Sequence, residues 1–343
     1  MTDLVERLAD LTAHRDRDVL DASLVSALCE LLSPVSVAVH RCVGDEGNQR
    51  WLTRARMAAG EVAPVADAGW AEIDLLPRLD DRPAWRDSLR SQNPLSFAGA
   101  PATALFPLAT DTGTVGVLEL RTASALSLPE SRSVSSILRL YRNFEGLLDY
   151  SERDTLTGLL NRKTFDDAFL KLSLPPANAA AASTDDERRD ALAAATHYLG
   201  VIDIDHFKRV NDGFGHLIGD EVLLLLSRVM RGTFRYHDRL YRFGGEEFVV
   251  LMRCADDASA AIAFERLRAN VAQYAFPQVG HITVSVGYTA VDACDTPSRA
   301  FERADRAVYF AKEHGRDQVR SHAALVATGL LDGAHQVGDV ELF

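Results

Sequence analysis

The stretch Val201-Ile202-Asp203-Ile204-Asp205 decides how this chain is read. Its apolar, β-branched residues extend a strand that begins near Tyr198, and two acids close it. Side chains alternate along a strand, so Asp203 and Asp205 share one face of the sheet. A buried carboxylate is costly unless it is paired or binds a cation. Two of them at the C-terminal end of an apolar strand point to a hard-cation site, with Mg²⁺ or Mn²⁺ as its natural occupants. Asp203 is the expected ligand. Asp205 is expected to hydrogen-bond to backbone at the start of the following turn.

A hairpin is expected next, over residues 239–252. Its bend reads Arg242-Phe243-Gly244-Gly245-Glu246-Glu247-Phe248 and runs on into Val249-Val250-Leu251. Two glycines allow positive φ and let backbone come close to a ligand. The two carboxylates after them give a metal ligand and a candidate base. Alone, such a turn is a solvated hairpin. Beside a strand carrying Asp203, it becomes the pairing of carboxylates on neighbouring strands that two-metal phosphoryl transfer requires.

Helices and strands alternate around this pair. Helices are expected at 163–172, 220–234, 257–274 and 298–314, with a further strand at 282–290. This order predicts an α/β (α+β) domain with a central, mostly antiparallel sheet. Residues 175–190 form an Ala-rich polar insert before the Asp203 strand, expected as a loop with a short helix. The tail beyond Ala323 is unpatterned and expected to be mobile.

The N-terminal third reads as a second α/β unit. A helix is expected over residues 3–31, a strand over 35–39, and a hairpin from 104 to 120 that turns at Asp111-Thr112-Gly113. His40 and Cys42 lie on one strand face; a pair is too few for a metal, so packing is expected. Pro129 then opens a helix, with Ser127 near its N-cap. Val134, Ile137, Tyr141, Phe144 and Leu148 follow at spacings of 3 and 4. That is the seam of a coiled coil, so 129–153 is expected as a signalling and dimerisation helix; the buried stripe of one amphipathic helix packed on its own domain fits the pattern nearly as well. The boundaries expected are 1–128, 129–153, 154–322 and 323–343.

Composition narrows the class. A chain of 343 residues has room for about two domains. Its 37 basic and 49 acidic side chains give a net charge of −12. That argues against a bulk nucleic-acid binder or a polybasic membrane-surface protein and leaves a nucleotide substrate open. No apolar run approaches a membrane span, and the charged N-terminus has no signal-peptide core. The four scattered cysteines are expected as reduced thiols, which fits the cytoplasm.

Five motifs now stand in order: Asp154-x-Leu156-Thr157-Gly158-Leu159-x-Asn161-Arg162, then Asp203 to Lys208, then Asn211-Asp212-x-Phe214-Gly215-His216-x-x-Gly219-Asp220, then Gly244 to Phe248, and finally Ala311-Lys312-x-x-Gly315-Arg316. Together they resemble the GGDEF domain of diguanylate cyclases, whose signature is here Gly-Gly-Glu-Glu-Phe. The insert at 175–190 is longer than the family's usual link. The resemblance implies a palm-like nucleotidyl cyclase fold, and an activity that joins two GTP into cyclic di-GMP with release of two pyrophosphates. It places two Mg²⁺ or Mn²⁺ ions per active site on Asp203, the carbonyl of Ile204 and Glu246. It makes Glu246 or Glu247 the group that helps deprotonate the 3′-hydroxyl, and Lys208 a stabiliser of phosphate charge. Phe207, Asn211, Asp220, Gly244, Gly245, Lys312 and Arg316 would line the substrate, with Asn211 and Asp220 on guanine. A carboxylate suits guanine because N1–H and the 2-amino group are donors that adenine lacks.

The same resemblance implies a homodimer, since each domain binds one GTP. Arg235-Tyr236-His237-Asp238, with Arg266, resembles the family's inhibitory site, where product cyclic di-GMP binds. Residues 114–120 and the helix after them resemble a GAF sensory domain with an unidentified ligand. Two other readings compete with an active cyclase: a binding protein that only senses cyclic di-GMP through Arg235 and Asp238, and a different nucleotidyl cyclase. The presence of Asp203, Glu246, Lys208 and Asp220 favours activity.

Overall fold

The computed structural model describes residues 17–44, 47–66, 73–109, 115–172 and 196–332. The chain divides into two compact units, between Glu152 and Arg153. Residues 3–16 of the expected first helix, the Asp111–Gly113 turn and the 175–190 insert lie outside the described residues.

The first unit is an antiparallel five-stranded sheet: β1 (Ser36–Val43), β2 (Arg50–Ala58), β3 (Leu95–Phe97), β4 (Ala102–Ala109) and β5 (Val115–Thr122), in the order β2-β1-β5-β4-β3. Helix α1 (Arg17–Leu32) precedes it, α2 (Pro83–Ser91) lies within it, and α3 (Leu128–Glu152) follows. Alternation along β5 divides the packing. Leu118 and Leu120 join Leu20, Leu24 and Leu28 of α1 and residues of α3 in one core, while Val117 joins Trp51, Leu105 and Trp85 of α2 in another. His40 stacks on Trp85 with ring centroids 3.9 Å apart, so it packs as expected. Burial, with Arg82 and Arg56 nearby, pushes its pKa down to about 3.

Ser127 closes a capping box with Glu130: its backbone N–H and hydroxyl both donate to the Glu130 carboxylate, at 2.8 and 2.7 Å. The helix that follows departs from a free-standing connector. Val134, Ile137, Tyr141 and Leu148, four of the five seam residues, are buried in the first unit's own core. The stripe packs against α1 and the sheet of its own unit. The same 3-4 spacing serves either partner, which is why the pattern alone did not discriminate.

Polar residues of α3 are also drawn inward. Arg41 of β1 is buried, donates to Tyr141 and Glu145, and lies 3.4 Å from Asp21 of α1. Burial raises the Glu145 pKa while Arg41 opposes it. Arg17 bonds Glu152 at 2.8 Å and also pairs with Asp149, so α1 and α3 are clamped together down their length.

The second unit is a six-stranded sheet in the order β11-β10-β7-β9-β8-β6. Its strands are β6 (Leu160–Asn161), β7 (Thr196–Ile204), β8 (Arg239–Gly244), β9 (Glu247–Cys254), β10 (Val284–Ala290) and β11 (Val319–Ser321). The four central strands are antiparallel, and only the short edge strands β6 and β11 pair in parallel. Helices α4 (Arg162–Leu172) and α8 (Pro297–Glu313) accompany one face, and α5 (Phe207–Phe214), α6 (His216–Thr233) and α7 (Asp257–Gln273) the other. Along β7, Ile202 and Ile204 enter the core with α6 and α7, whereas Leu199 and Val201 enter the core with α4 and α8. Asp203 follows the second set by alternation, and it faces α8.

One expectation fails at the C-terminus. Ser321 caps a short helix, α9 (His322–Ala327), where an unpatterned tail was expected from residue 323. Leu325 and Leu331 pack on Ala307 and Phe310 of α8. A six-residue helix is too short to show periodicity, and its stability comes from that contact.

Candidate active site

The site is built at one end of β7 and β9. Asp203 lies directly opposite Glu247 in the antiparallel register. Gly244 and Gly245 turn the chain between β8 and β9 with φ of 141° and 51°, values that side-chain-bearing residues rarely adopt. The turn is braced from within: Arg242 donates to the Gly245 carbonyl at 2.9 Å and to the Asp154 carboxylate at 2.9 Å. Asp154 in turn accepts from the Thr157 backbone N–H and hydroxyl. The Asp154–Arg162 motif therefore supports the acidic turn.

Asp203 is buried, and Lys312 of α8 reaches it with Nζ 2.7 Å from Oδ2. The other oxygen, Oδ1, is buried with no hydrogen-bond partner. Burial raises the Asp203 pKa, Lys312 opposes the rise, and Asp205 and Asp305 add to it. Glu246 and Glu247 are raised as well, chiefly by burial. Asp203 adds to the rise at Glu246, and Asp305 and Asp203 add to it at Glu247. Lys312 lowers all three. Burial is the main cause at each, mutual repulsion among the acids adds to it, and Lys312, joined by Arg162 at Glu247, opposes it. Asp305 and Lys312 as neighbours of Asp203 were not legible as contacts, because α8 is about a hundred residues away in sequence.

Among the described residues, no three His, Cys, Asp or Glu side chains converge on one metal position. Mg²⁺ does not require that: it is commonly held by one or two carboxylates together with waters and substrate phosphates. The orphaned Asp203 Oδ1 and the charge-crowded glutamates are donors of that kind.

Around this centre the expected substrate residues are distributed unevenly. Lys208 and Asp220, on α5 and α6, are exposed, as is Arg316. Among the described residues, the charged heads of Lys208 and Arg316 make no hydrogen bond or ion pair. Asn211 closes against Gly219: a Cβ at 219 would lie 1.9 Å from Asn211 Oδ1, so only glycine admits the amide there. The Phe207 side chain is buried in the core, 5% exposed, which leaves its backbone to meet a ligand. The Ile204 side chain is also core, which leaves only its carbonyl for a ligand.

Asp205 behaves as expected in that its role is structural, but its partners differ. It accepts from Thr283 Oγ1 at 2.6 Å, Ser285 Oγ at 2.7 Å and the backbone N–H of Asp317 at 3.0 Å, not from the turn that follows it.

Arg235 and Asp238 close a turn on themselves. The Arg235 N–H donates to Asp238 Oδ2 at 2.8 Å, and the Asp238 N–H donates to the Arg235 carbonyl at 3.0 Å. Burial raises the Asp238 pKa, while Arg235 and Arg266 oppose it, so Arg266 of α7 belongs to the same electrostatic neighbourhood. Its guanidinium donates to the Thr233 carbonyl.

Acids at the end of β7 and in the β8–β9 turn of an antiparallel sheet are the arrangement that cation-assisted phosphoryl transfer uses. The family model for the diguanylate cyclase GGDEF domain matches residues 151–318. The second unit is a GGDEF domain. Diguanylate cyclase DgcP of Pseudomonas aeruginosa is 47% identical over 124 residues, which cover 35% of this chain and 18% of that protein. Diguanylate cyclase DgcM of Escherichia coli is 35% identical over 188 residues, 54% of this chain and 42% of that one. The chain thus spans less than half the length of these two relatives. A crystal structure of the coiled coil and GGDEF domain of DgcB from Caulobacter crescentus, in complex with c-di-GMP, is 27% identical. It covers 56% of this chain and 96% of that one, at a TM-score of 0.46. Among the described residues, no helix is long and apolar enough to cross a membrane.

Proposed function

We propose that this chain is a diguanylate cyclase: it condenses two GTP into one cyclic di-GMP and releases two pyrophosphates. The observation that carries the reading is Asp203 set opposite Glu247, beside Glu246, within the matched domain. In each half-reaction a 3′-hydroxyl attacks the α-phosphate of the other GTP, a new P–O bond forms, and the bond to pyrophosphate breaks. The hydroxyl proton passes to Glu246 or Glu247, whose raised pKa values bring them nearer to a base that works at neutral pH. Asp203, the Ile204 carbonyl and Glu246 would hold two Mg²⁺ or Mn²⁺ ions, which supply charge neutralisation at the phosphates. Lys208, Lys312 and Arg316 grip the triphosphate, the open Gly244–Gly245 turn admits it, and Asn211 with Asp220 reads guanine.

Two domains must face each other for the product to close, so the working form is a homodimer. The first unit is read as a GAF-like sensory domain with an unidentified ligand, supported by its antiparallel sheet and exit helix. Product feedback is assigned to Arg235, Asp238 and Arg266, supported by the electrostatic proximity of the three. The net charge of −12 and the scattered cysteines support a cytoplasmic protein without nucleic-acid or membrane partners.

Incubation of the purified chain with GTP and Mg²⁺, followed by mass identification of the product, tests the reading. Cyclic di-GMP is expected. A different cyclic dinucleotide, or none, overturns it, and cyclic di-GMP binding without turnover selects the sensor instead. Asp203→Ala and Glu246→Ala are expected to abolish turnover. Arg235→Ala is expected to relieve non-competitive product inhibition, and unchanged inhibition rejects that site.

A further inference from the structure

The turn after α8 is held in an unusual state. Gly315, Arg316 and Asp317 all have positive φ, at 108°, 62° and 44°. The last two carry side chains, for which this region is unfavourable by about 1–2 kcal/mol per residue. Such a conformation persists only where its surroundings impose it. Here the impositions can be named. The Arg316 N–H donates to the Ala311 carbonyl at 2.9 Å. Arg268 of α7 holds the Asp317 carboxylate at 2.7 Å. The Asp317 N–H donates to Asp205 Oδ2, across 112 positions of sequence.

Asp205 is the hub of this arrangement. Its carboxylate is buried, and both oxygens are engaged, Oδ2 by Thr283 and Asp317 and Oδ1 by Ser285. It directly follows β7, which ends at Ile204, and Asp203 near the end of that strand binds Lys312 on α8. The two aspartates thus tie the end of α8 to the end of β7 twice, one through a side-chain ammonium and the other through a backbone amide. Between those ties, at a backbone conformation it would not choose, stands Arg316 with its guanidinium free among the described residues.

We propose that Asp205 is a positioning residue that sets Arg316 toward the triphosphate by clasping the Asp317 amide, and that it does so as a hydrogen-bond acceptor rather than as a charge or a metal ligand. The proposal rests on the reading of Arg316 as a phosphate-binding group. It separates Asp205 from Asp203: neighbours by alternation, they have different work because one keeps a free buried oxygen and the other has none.

Asparagine decides between acceptor and ligand. In Asp205→Asn the carbonyl oxygen can take the place of Oδ2 and accept from Thr283 and Asp317, while the amide donates to Ser285 Oγ. Asp205→Ala has no acceptor. Two readouts follow. In hydrogen exchange without nucleotide, the Asp317 amide is expected to lose protection in Asp205→Ala and to keep it in Asp205→Asn. In turnover, Asp205→Ala is expected to raise half-saturating GTP by about tenfold with a smaller change in kcat, and Asp205→Asn to recover most of that loss. The rise is expected to vanish in an Arg316→Ala background, since a residue acting through another adds nothing once that other is gone.

Equal exchange of the Asp317 amide in wild type and Asp205→Ala overturns the clasp. Additive effects of Asp205→Ala and Arg316→Ala overturn its action through Arg316. An Asp205→Asn variant as impaired as Asp205→Ala, with a raised Mg²⁺ requirement, makes Asp205 a metal ligand and overturns the proposal. If Asp205→Ala does not fold, Thr283→Val loosens the carboxylate from one side, and the same exchange and GTP shifts, smaller in size, are expected. A wild-type chain that makes no cyclic di-GMP refutes the functional reading alone, and the exchange experiment still decides the clasp.

Discussion

Replacing Lys312 by methionine removes the cation that lowers the pKa of all three acids, Asp203, Glu246 and Glu247. Lys312 Nζ lies 2.7 Å from Asp203 Oδ2, with side-chain exposures of 32% and 8%. Breaking a buried pair costs about 3–5 kcal/mol, because a charge is left in a poor solvent. Breaking an exposed pair costs about 1 kcal/mol at most. With Asp203 buried and Lys312 one-third exposed, the loss falls between these limits, at about 2 kcal/mol. For a domain of this size that is a fall in Tm of about 4–8 °C.

The loss has a definite sign with pH. Asp203, Glu246 and Glu247 have folded-state pKa values above those of free carboxyls, and Lys312 opposes the rise at each. Without it those values rise further while the unfolded ones stay put. A folded state that binds more protons than the unfolded state loses stability as pH rises. The deficit of Lys312→Met is therefore largest above the raised folded pKa values and shrinks as pH falls toward the ordinary carboxyl range near about 4. Calorimetric melts of the full chain at about pH 8 and about pH 5 measure it. Mg²⁺ at the higher pH is expected to restore part of the loss, since it neutralises the same carboxylates. A deficit equal at the two pH values, or absent at the higher one, refutes this electrostatic reading.

Gly219→Ala drives a methyl into the Asn211 amide, at 1.9 Å from its oxygen. Overpacking of this kind costs about 1–3 kcal/mol, which the better helix propensity of alanine offsets by about 1 kcal/mol, so a melt should fall by no more than about 8 °C. Asn211 is displaced, and half-saturating GTP is expected to rise about tenfold; an unchanged value in a steady-state titration removes Asn211 from the guanine site. In the first unit, Arg41→Met leaves Glu145 buried without its guanidinium, while Asp21 keeps Arg54 at 3.4 Å and the Tyr141 hydroxyl, a loss of about 3–5 kcal/mol by denaturant unfolding. Because the Glu145 pKa is already raised, that loss is expected to lessen on acidification, and a pH-independent loss contradicts it.

The central strands, the Gly-Gly turn and the acids at the strand end and the hairpin bend were legible because each is local. Period-two alternation, turn chemistry and a short run of acids are read within ten residues. Asp203 could be set apart from Asp205 at that level, since an apolar strand ending in acids needs a cation and one acid can serve a turn. What the chain alone did not determine was partnership over distance. The stripe of α3 reads the same whether it meets a second copy or its own sheet, and only the fold assigned it to the Leu20–Leu28 face of α1. Phe207, inside a motif, turned out to be core because helix α5 faces inward there. Lys312 and Asp317 reach the two aspartates from about 110 residues away, through antiparallel pairing of β10 with β7 and the packing of α8 on that face. A sequence encodes which groups cannot be buried alone; the tertiary structure decides which distant group relieves each of them, because burial and charge compensation are settled by neighbours in space.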